Sequence, residues 1–219
     1  MPINTEHPCY ARKSKQWRKV RAVLEGEEAI LEDIRSYLPV PPGLLDGGQY
    51  DIASKIGTPG PNGAARYDFY ASFAEFPELA GETLNGLQGL IHEKAPVIEL
   101  PAKMQYLLMH ATPTGDGLEE LFEKMTEEIL ATGRIILLNE IIAERDQVVL
   151  CPYVAESMTN WRESKSSAYS SEVMPTLVVL KECDMVPSGS DKYEQVEREQ
   201  YRELYVDPLA NEYRVRVWV

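Results

Sequence analysis

Residues 118–162 read LEELFEKMTEEILATGRIILLNEIIAERDQVVLCPYVAESMTNWR, and this stretch decides the fold. Leu118, Leu121, Phe122, Met125, Ile129 and Leu130 recur at helical spacing and share one face. Asp116 and Glu119 have capping-box spacing, with Asp116 as the N-cap. Gly133 stands where a glycine ends a helix in the left-handed conformation. The pattern therefore predicts a helix over 118–132. Ile135 to Ile142 then forms an apolar run of strand length. Glu144, Arg145 and Asp146 read as a turn, and Val148 to Tyr153 as a second strand.

Toward the C-terminus, residues 160–173 are polar and Ser-rich and read as a loop. Met174 to Glu182 is a third strand, and Asp184 to Asp191 a turn. Tyr201, Glu203 and Tyr205 alternate with Arg202, Leu204 and Val206, which favours a strand over 194–206. Asp207 and Pro208 open a turn into Tyr213-Arg214-Val215-Arg216-Val217-Trp218-Val219, completing a hairpin. This last run alternates to its end. A strand of that kind is expected to need a continuation or a partner over its edge.

Toward the N-terminus, residues 1–15 read as a flexible arm. From Gln16 to Leu38 an apolar stripe predicts a helix weakened at Gly26 and ended by Pro39, Pro41 and Pro42. Residues 39–63 are rich in Gly and Pro and read as a long loop. Residues 64–93 are mostly helical, with a stripe of Leu79, Leu84, Leu87, Leu90 and Ile91 interrupted by Gly81, Gly86 and Gly89. A short helix is expected over 102–110. Helices come first and strands after. The fold class is therefore α+β, with N-terminal helices packed on a mainly antiparallel sheet.

Composition narrows the function. The net charge over 219 residues is −13. Residues 1–21 hold six bases and one acid, so the rest carries 34 acids against 16 bases. Such a body repels a nucleic-acid backbone, and the basic segment reads as a solvated helix face. Cys9, Cys151 and Cys183 are widely spaced and odd in number, and no CxxC occurs, which argues against a disulfide framework and a zinc site. Cys151 reads as a buried thiol. No apolar run approaches the length of a membrane span.

The residue types that carry catalysis do not converge. His7, His92 and His110 lack ligand partners at helical spacing, and no HExxH, GxSxG, GxGxxG or P-loop occurs. Gly43, Gly47 and Gly48 form no phosphate-binding pattern. The pairs Glu119-Glu120 and Glu127-Glu128 lie opposite the apolar stripe and read as a solvated face. Trp161-Arg162 reads either as a cation–π pair or interface anchor, or as a core tryptophan beside a surface arginine. No catalytic, cofactor-binding or metal-binding residue is assigned.

Five blocks then stand out in order. They are His7-Pro8-x-Tyr10 with Trp17-Arg18, Leu24-Glu25-Gly26-Glu27 and Tyr37-Leu38-Pro39; Thr83-Leu84-Asn85-Gly86-Leu87-x-Gly89-Leu90-Ile91 with Glu99-Leu100-Pro101; Leu130-x-Thr132-Gly133-Arg134; Tyr153-x-Ala155-Glu156-Ser157-x-x-Asn160-Trp161-Arg162; and Val178-Val179-Leu180-Lys181-Glu182 with Tyr213-Arg214-Val215. In this order and spacing the chain resembles the N-terminal part of tailed-phage portal proteins, in a subfamily classed as a domain of unknown function. His92-Glu93 departs from it, where an aromatic and a basic residue are expected.

The resemblance implies a portal wing-like α+β domain over 16–219, helical to residue 132 and β-rich from 133, without stem, clip or crown. It implies a structural role and no enzymatic one, with no cofactor. Its partners would be copies of itself in a ring, a dodecamer in the full-length protein. Further partners would be the capsid, the terminase motor, tail adaptor proteins and double-stranded DNA passing through, with no membrane. The setting would be the virion, and the host cytoplasm during assembly. The alternative is a stand-alone prophage-derived binding module. An enzyme acting on a small polar ligand lacks a convergent titratable cluster.

Overall fold

Helices dominate up to residue 132 and antiparallel strands follow, so the fold is α+β. The computed structural model describes residues 2–45, 48–51, 56–60, 63–142, 147–165, 173–189, 193–207, 209–210 and 212–219. In chain order the helices are α1 (Pro8–Glu25), α2 (Glu27–Glu32), α3 (Ile34–Tyr37), α4 (Gly63–Ala71), α5 (Leu79–Ile91) and α6 (Leu118–Thr132). The strands are β1 (Gln49–Asp51), β2 (Ile56–Thr58), β3 (Ile136–Ile142), β4 (Gln147–Tyr153), β5 (Met158–Lys165), β6 (Val173–Pro187), β7 (Gln195–Asp207) and β8 (Glu212–Trp218). Two compact units result: Met1–Trp17 with His92–Val219, and Arg18–Ile91.

In the Arg18–Ile91 unit, β1 and β2 form a two-stranded antiparallel ladder inside the expected Gly/Pro loop. Ile30, Val40 and Tyr67 are buried, and the Tyr67 hydroxyl donates to the Leu38 carbonyl at 2.7 Å. The helix expected from Gln16 to Leu38 is three helices, divided at Gly26 and at Asp33. The first begins at Pro8, within the segment expected to be an arm. The His7 carbonyl accepts its first helical bond from the Ala11 N–H at 3.1 Å.

In the larger unit, β3 and β4 pair as a hairpin and β5–β6–β7–β8 form a four-stranded antiparallel sheet in sequence order. The turn expected at Glu144-Arg145-Asp146 lies outside the described residues. Local composition misled at two places. Residues 160–165 belong to β5 rather than a loop, and Asp184–Pro187 extend β6 where a turn was expected; residues 166–172 and 190–191 of those expected segments lie outside the described residues. The polar residues of the first and the Asp and Pro of the second read as loop signals, while the ladder bonds that define a strand are made by the backbone. The terminal hairpin forms as expected, with Val215 opposite Leu204.

Helix α6 spans the expected residues, but its ends are built differently from the sequence reading. The N-cap is Gly117, not Asp116, and the Glu120 carboxylate accepts the Gly117 N–H at 3.0 Å. A Cβ at Gly117 would lie 2.3 Å from the Leu108 carbonyl oxygen, so the close approach of that loop selects glycine. Asp116 instead accepts from the Thr112 and Thr114 hydroxyls and from Lys124 at 2.8 Å. Gly133 ends the helix at φ 78°, donating to the Ile129 carbonyl at 2.9 Å.

The α6 core contact is narrower than its apolar stripe. Leu121 packs with Leu107 and Ala111, flanked by Leu118, Met125 and Leu150, while Phe122, Ile129 and Leu130 are exposed. The segment before α6 also seals β4. The Leu150 N–H donates to the Ala111 carbonyl at 2.7 Å, and the Tyr106 hydroxyl both donates to and accepts from the Val148 backbone. The short helix expected over 102–110 is a 3-10 helix, Ala102–Leu108.

Candidate functional site

The most ordered polar arrangement of the larger unit is a clasp around Arg134. This residue follows the left-handed Gly133, which turns the chain off the end of α6. Its guanidinium donates to the carbonyls of Ala155 and Met158, the latter at 3.2 Å. The same group lies 4.7 Å from the Trp17 ring centre and 5.0 Å from that of Trp161. A planar cation between two indoles is favourable because each ring face is negative. Burial lowers the pKa of Arg134, opposed by Tyr10 and Glu156. An arginine begins so far above neutrality that it stays charged.

Each clasp residue is tied to a different element. The Trp17 indole of α1 donates to the Thr132 carbonyl at 3.2 Å. Tyr10 meets Trp17 edge to face and donates to the Glu156 carbonyl at 3.1 Å. Trp161 of β5 stacks on His7, with ring centres 3.9 Å apart. Glu128 of α6 is only 7% exposed and accepts the Ala155 N–H at 3.1 Å and the Thr132 hydroxyl at 3.0 Å. The expectation of a solvated Glu127-Glu128 face fails at Glu128. Its carboxylate satisfies a buried backbone donor 27 residues away, which local spacing does not reveal. The cation over Trp161 is Arg134, not the adjacent Arg162.

A second cluster joins the β3–β4 hairpin to the four-stranded sheet. Arg202 of β7 pairs with Glu140 of β3 and, at 2.7 Å, with Glu182 of β6. Glu182 also accepts from the Tyr153 hydroxyl at 2.7 Å and from Gln200 at 2.8 Å. Burial pushes the Glu182 carboxyl up. The hydrogen bonds from Tyr153, Arg202 and Gln200, with the Arg202 charge, outweigh burial and hold it below the ordinary range. Burial and the bond to Glu182 raise the Tyr153 phenol. The Cys151 thiol, half-buried rather than buried, is pushed up to about 11 by burial and by Glu140. It is therefore a protonated thiol at neutral pH and a poor nucleophile.

Beside this cluster the hairpin and sheet enclose an open apolar cavity of about 440 Å³, walled by Leu138, Trp161, Val178, Leu180, Leu204 and Tyr213. The geometry of both clusters is that of joints. Their polar atoms are directed at backbone and at each other, except the buried Arg134 Nε, which has no hydrogen-bond partner among the described residues. Among the described residues no group of three or more His, Cys, Asp or Glu is placed to hold a metal ion. His92 stands against Phe122, apart from His7 in the clasp.

Surface hydrophobicity is the other functional signal. Helix α5 buries none of its residues, and Leu79, Leu87, Leu90 and Ile91 are exposed. Phe69 and Phe73 of the same unit meet edge to face at 4.8 Å, both in the open. Exposed apolar side chains grouped on one element form a surface that another element or another molecule can cover. The clasp itself was only partly legible. His7, Trp17, Arg134, Ala155 and Trp161 all sit in the sequence blocks quoted above, but their convergence required the fold. No protein-family model matches the chain, and no curated protein matches it.

Proposed function

We propose that the chain is the wing region of a subunit of a tailed-phage portal ring. In this reading it is a structural component of the capsid vertex, engaged in head assembly, passage of double-stranded DNA and joining of head to tail. The observation that carries it is the convergence of the family-like blocks. The first (His7, Trp17), third (Thr132, Arg134) and fourth (Ala155, Trp161) meet in one clasp. Blocks that are separate in sequence but joined in space behave as one module. The exposed leucines of α5 and the exposed aromatics near α4 support a role in assembly. A closed ring of identical subunits needs heterologous contacts, so two different surfaces of each copy must be sticky. The acidic net charge suits a passage through which DNA slides without adhering.

Native mass spectrometry with negative-stain imaging of the concentrated protein tests this. The expected result is a closed ring of one dominant stoichiometry. A protein that stays monomeric up to its solubility limit, or forms only symmetric dimers, overturns the reading in favour of a stand-alone binding module.

A further inference from the structure

Helix α1 is charged against the rest of the chain. Its sequence, PCYARKSKQWRKVRAVLE, holds six bases and one acid, Glu25, which is its last residue. The whole chain carries a net charge of −13. The clasp sets how this helix is turned. Tyr10 and Trp17, seven residues apart and so on one face, donate to the carbonyls of Glu156 and Thr132. Arg12, Lys15 and Lys19 stand at i, i+3 and i+7 on the opposite face, with Lys13 and Arg18 on its flanks. All five are exposed.

Elsewhere in the chain exposed and half-buried cations find acids. Lys124 pairs with Asp116, Lys181 with Glu199, Arg202 with Glu182 and Arg214 with Asp207. Among the described residues none of these five α1 cations is paired with a carboxylate, and Arg12 donates to the Cys9 sulfur at 3.8 Å. Like charges three and four residues apart on a helix repel, and a polyanion laid along the face offsets that cost. The face lacks what a protein partner would need. Helix α1 exposes no large apolar side chain, in contrast to α5. Protein interfaces are built on apolar and aromatic centres in which lysine is depleted, whereas interfaces with nucleic acid are much more positive. We propose that the face of α1 bearing Arg12, Lys15 and Lys19 contacts the phosphate backbone of double-stranded DNA without regard to sequence. The acidic remainder of the chain repels the same backbone, which confines the contact to α1 and keeps it reversible. This inference rests on the portal reading above for its choice of duplex DNA as the polyanion, and gives that reading a surface that faces DNA.

The test is fluorescence anisotropy of a labelled duplex of mixed sequence, titrated with the full chain over a salt series that starts at low ionic strength. The expected result is binding whose log affinity falls linearly with log salt, at a slope of roughly 3 to 5, as a handful of phosphate contacts requires. Arg12→Gln, Lys15→Gln and Lys19→Gln combined are expected to weaken binding at low salt by roughly tenfold or more and to lower the slope by about one per cation removed. Lys15→Glu alone is expected to weaken it by roughly threefold or more, and it decides the matter if the triple variant loses helix by circular dichroism. No binding at low salt overturns the inference, as does unchanged affinity and slope in a variant that keeps its helix. A duplex that is ignored, with the triple variant altering the sedimentation of the chain itself, assigns the face to an acidic surface of a second copy and overturns DNA as its partner. Rings that ignore the duplex overturn this inference and leave the ring standing. A monomer that binds the duplex through α1 supports this surface and overturns the ring.

Discussion

The β3–β4 hairpin with its sheet and helix α5 draw on the same apolar alphabet and use it in opposite ways. In the larger unit Leu180 is fully buried, and Leu204 and Val179 nearly so, beneath a joint of charged and hydroxyl groups. Helix α5 carries four leucines and an isoleucine in 13 residues and buries none of them. The difference lies in what each element has to close its backbone and cover its face. The hairpin brings Glu140 and Tyr153 to Arg202 and Glu182, so polar groups as well as apolar ones are satisfied within the unit. Helix α5 closes its own backbone and needs no neighbour to do so, and its leucines remain free for one. Hydrophobicity in a sequence thus fixes that a face will be covered, not by which molecule.

The strongest way to break this comparison is at Leu121, which is 1% exposed and packs with Leu107 and Ala111. Leu121→Ala removes three buried carbons and leaves a cavity, at a cost of roughly 2–5 kcal/mol. Chemical denaturation followed by circular dichroism should show a lower midpoint. If the two compact units unfold separately, only the transition of the larger one moves. A loss below about 1 kcal/mol would mean that this core is looser than its burial indicates.

Arg202→Met comes next. The variant leaves Glu140 and Glu182 facing each other without their shared cation. The side chains are partly exposed, so the loss at neutral pH is expected to be about 1–3 kcal/mol rather than the full cost of a broken buried pair. The pH dependence is more telling than the size. Glu182 sits below its ordinary range when folded, so its contribution is complete above the unfolded carboxylate value of about 4.3 and is lost as pH falls through the folded value. Without Arg202 the Glu182 carboxyl loses a hydrogen bond and the neighbouring positive charge, so it rises relative to wild type while Tyr153 and Gln200 still donate to it. The stability gap between wild type and variant should therefore narrow on going from neutral to acidic solution. A gap that is constant with pH would show that Arg202 acts by packing alone.

Much of this molecule was legible from local pattern. The span of α6, the stop at Gly133, the β3 and β4 runs and the terminal hairpin each follow from a period or a turn residue acting on its neighbours. The failures share a cause, since each depended on a group distant in sequence. Gly117 caps α6 because the Leu108 carbonyl leaves no room for a Cβ. Glu128 is buried because the Ala155 N–H needs an acceptor. Residues 160–165 form a strand because β6 supplies the ladder. The Arg134 clasp draws on His7, Trp17 and Trp161, and no window of sequence contains all of them.

The smallest expected effect sharpens the comparison most. Leu90 lies on α5 and is 72% exposed. Leu90→Ser exchanges an exposed apolar group for a hydroxyl and lowers helix propensity slightly, so folding stability should change by no more than about 0.5 kcal/mol. Assembly should respond quite differently. If the α5 face meets another copy, burial of that one side chain is worth about 1.5–3 kcal/mol, and its loss raises the assembly threshold by roughly tenfold or more. Equilibrium denaturation and sedimentation of the same preparation measure both quantities. A variant that folds as well as wild type and assembles at a higher concentration separates the face that holds the subunit together from the face that joins subunits. A variant whose folding falls by several kcal/mol assigns α5 to the interior of its own chain, and the contrast with the sheet disappears.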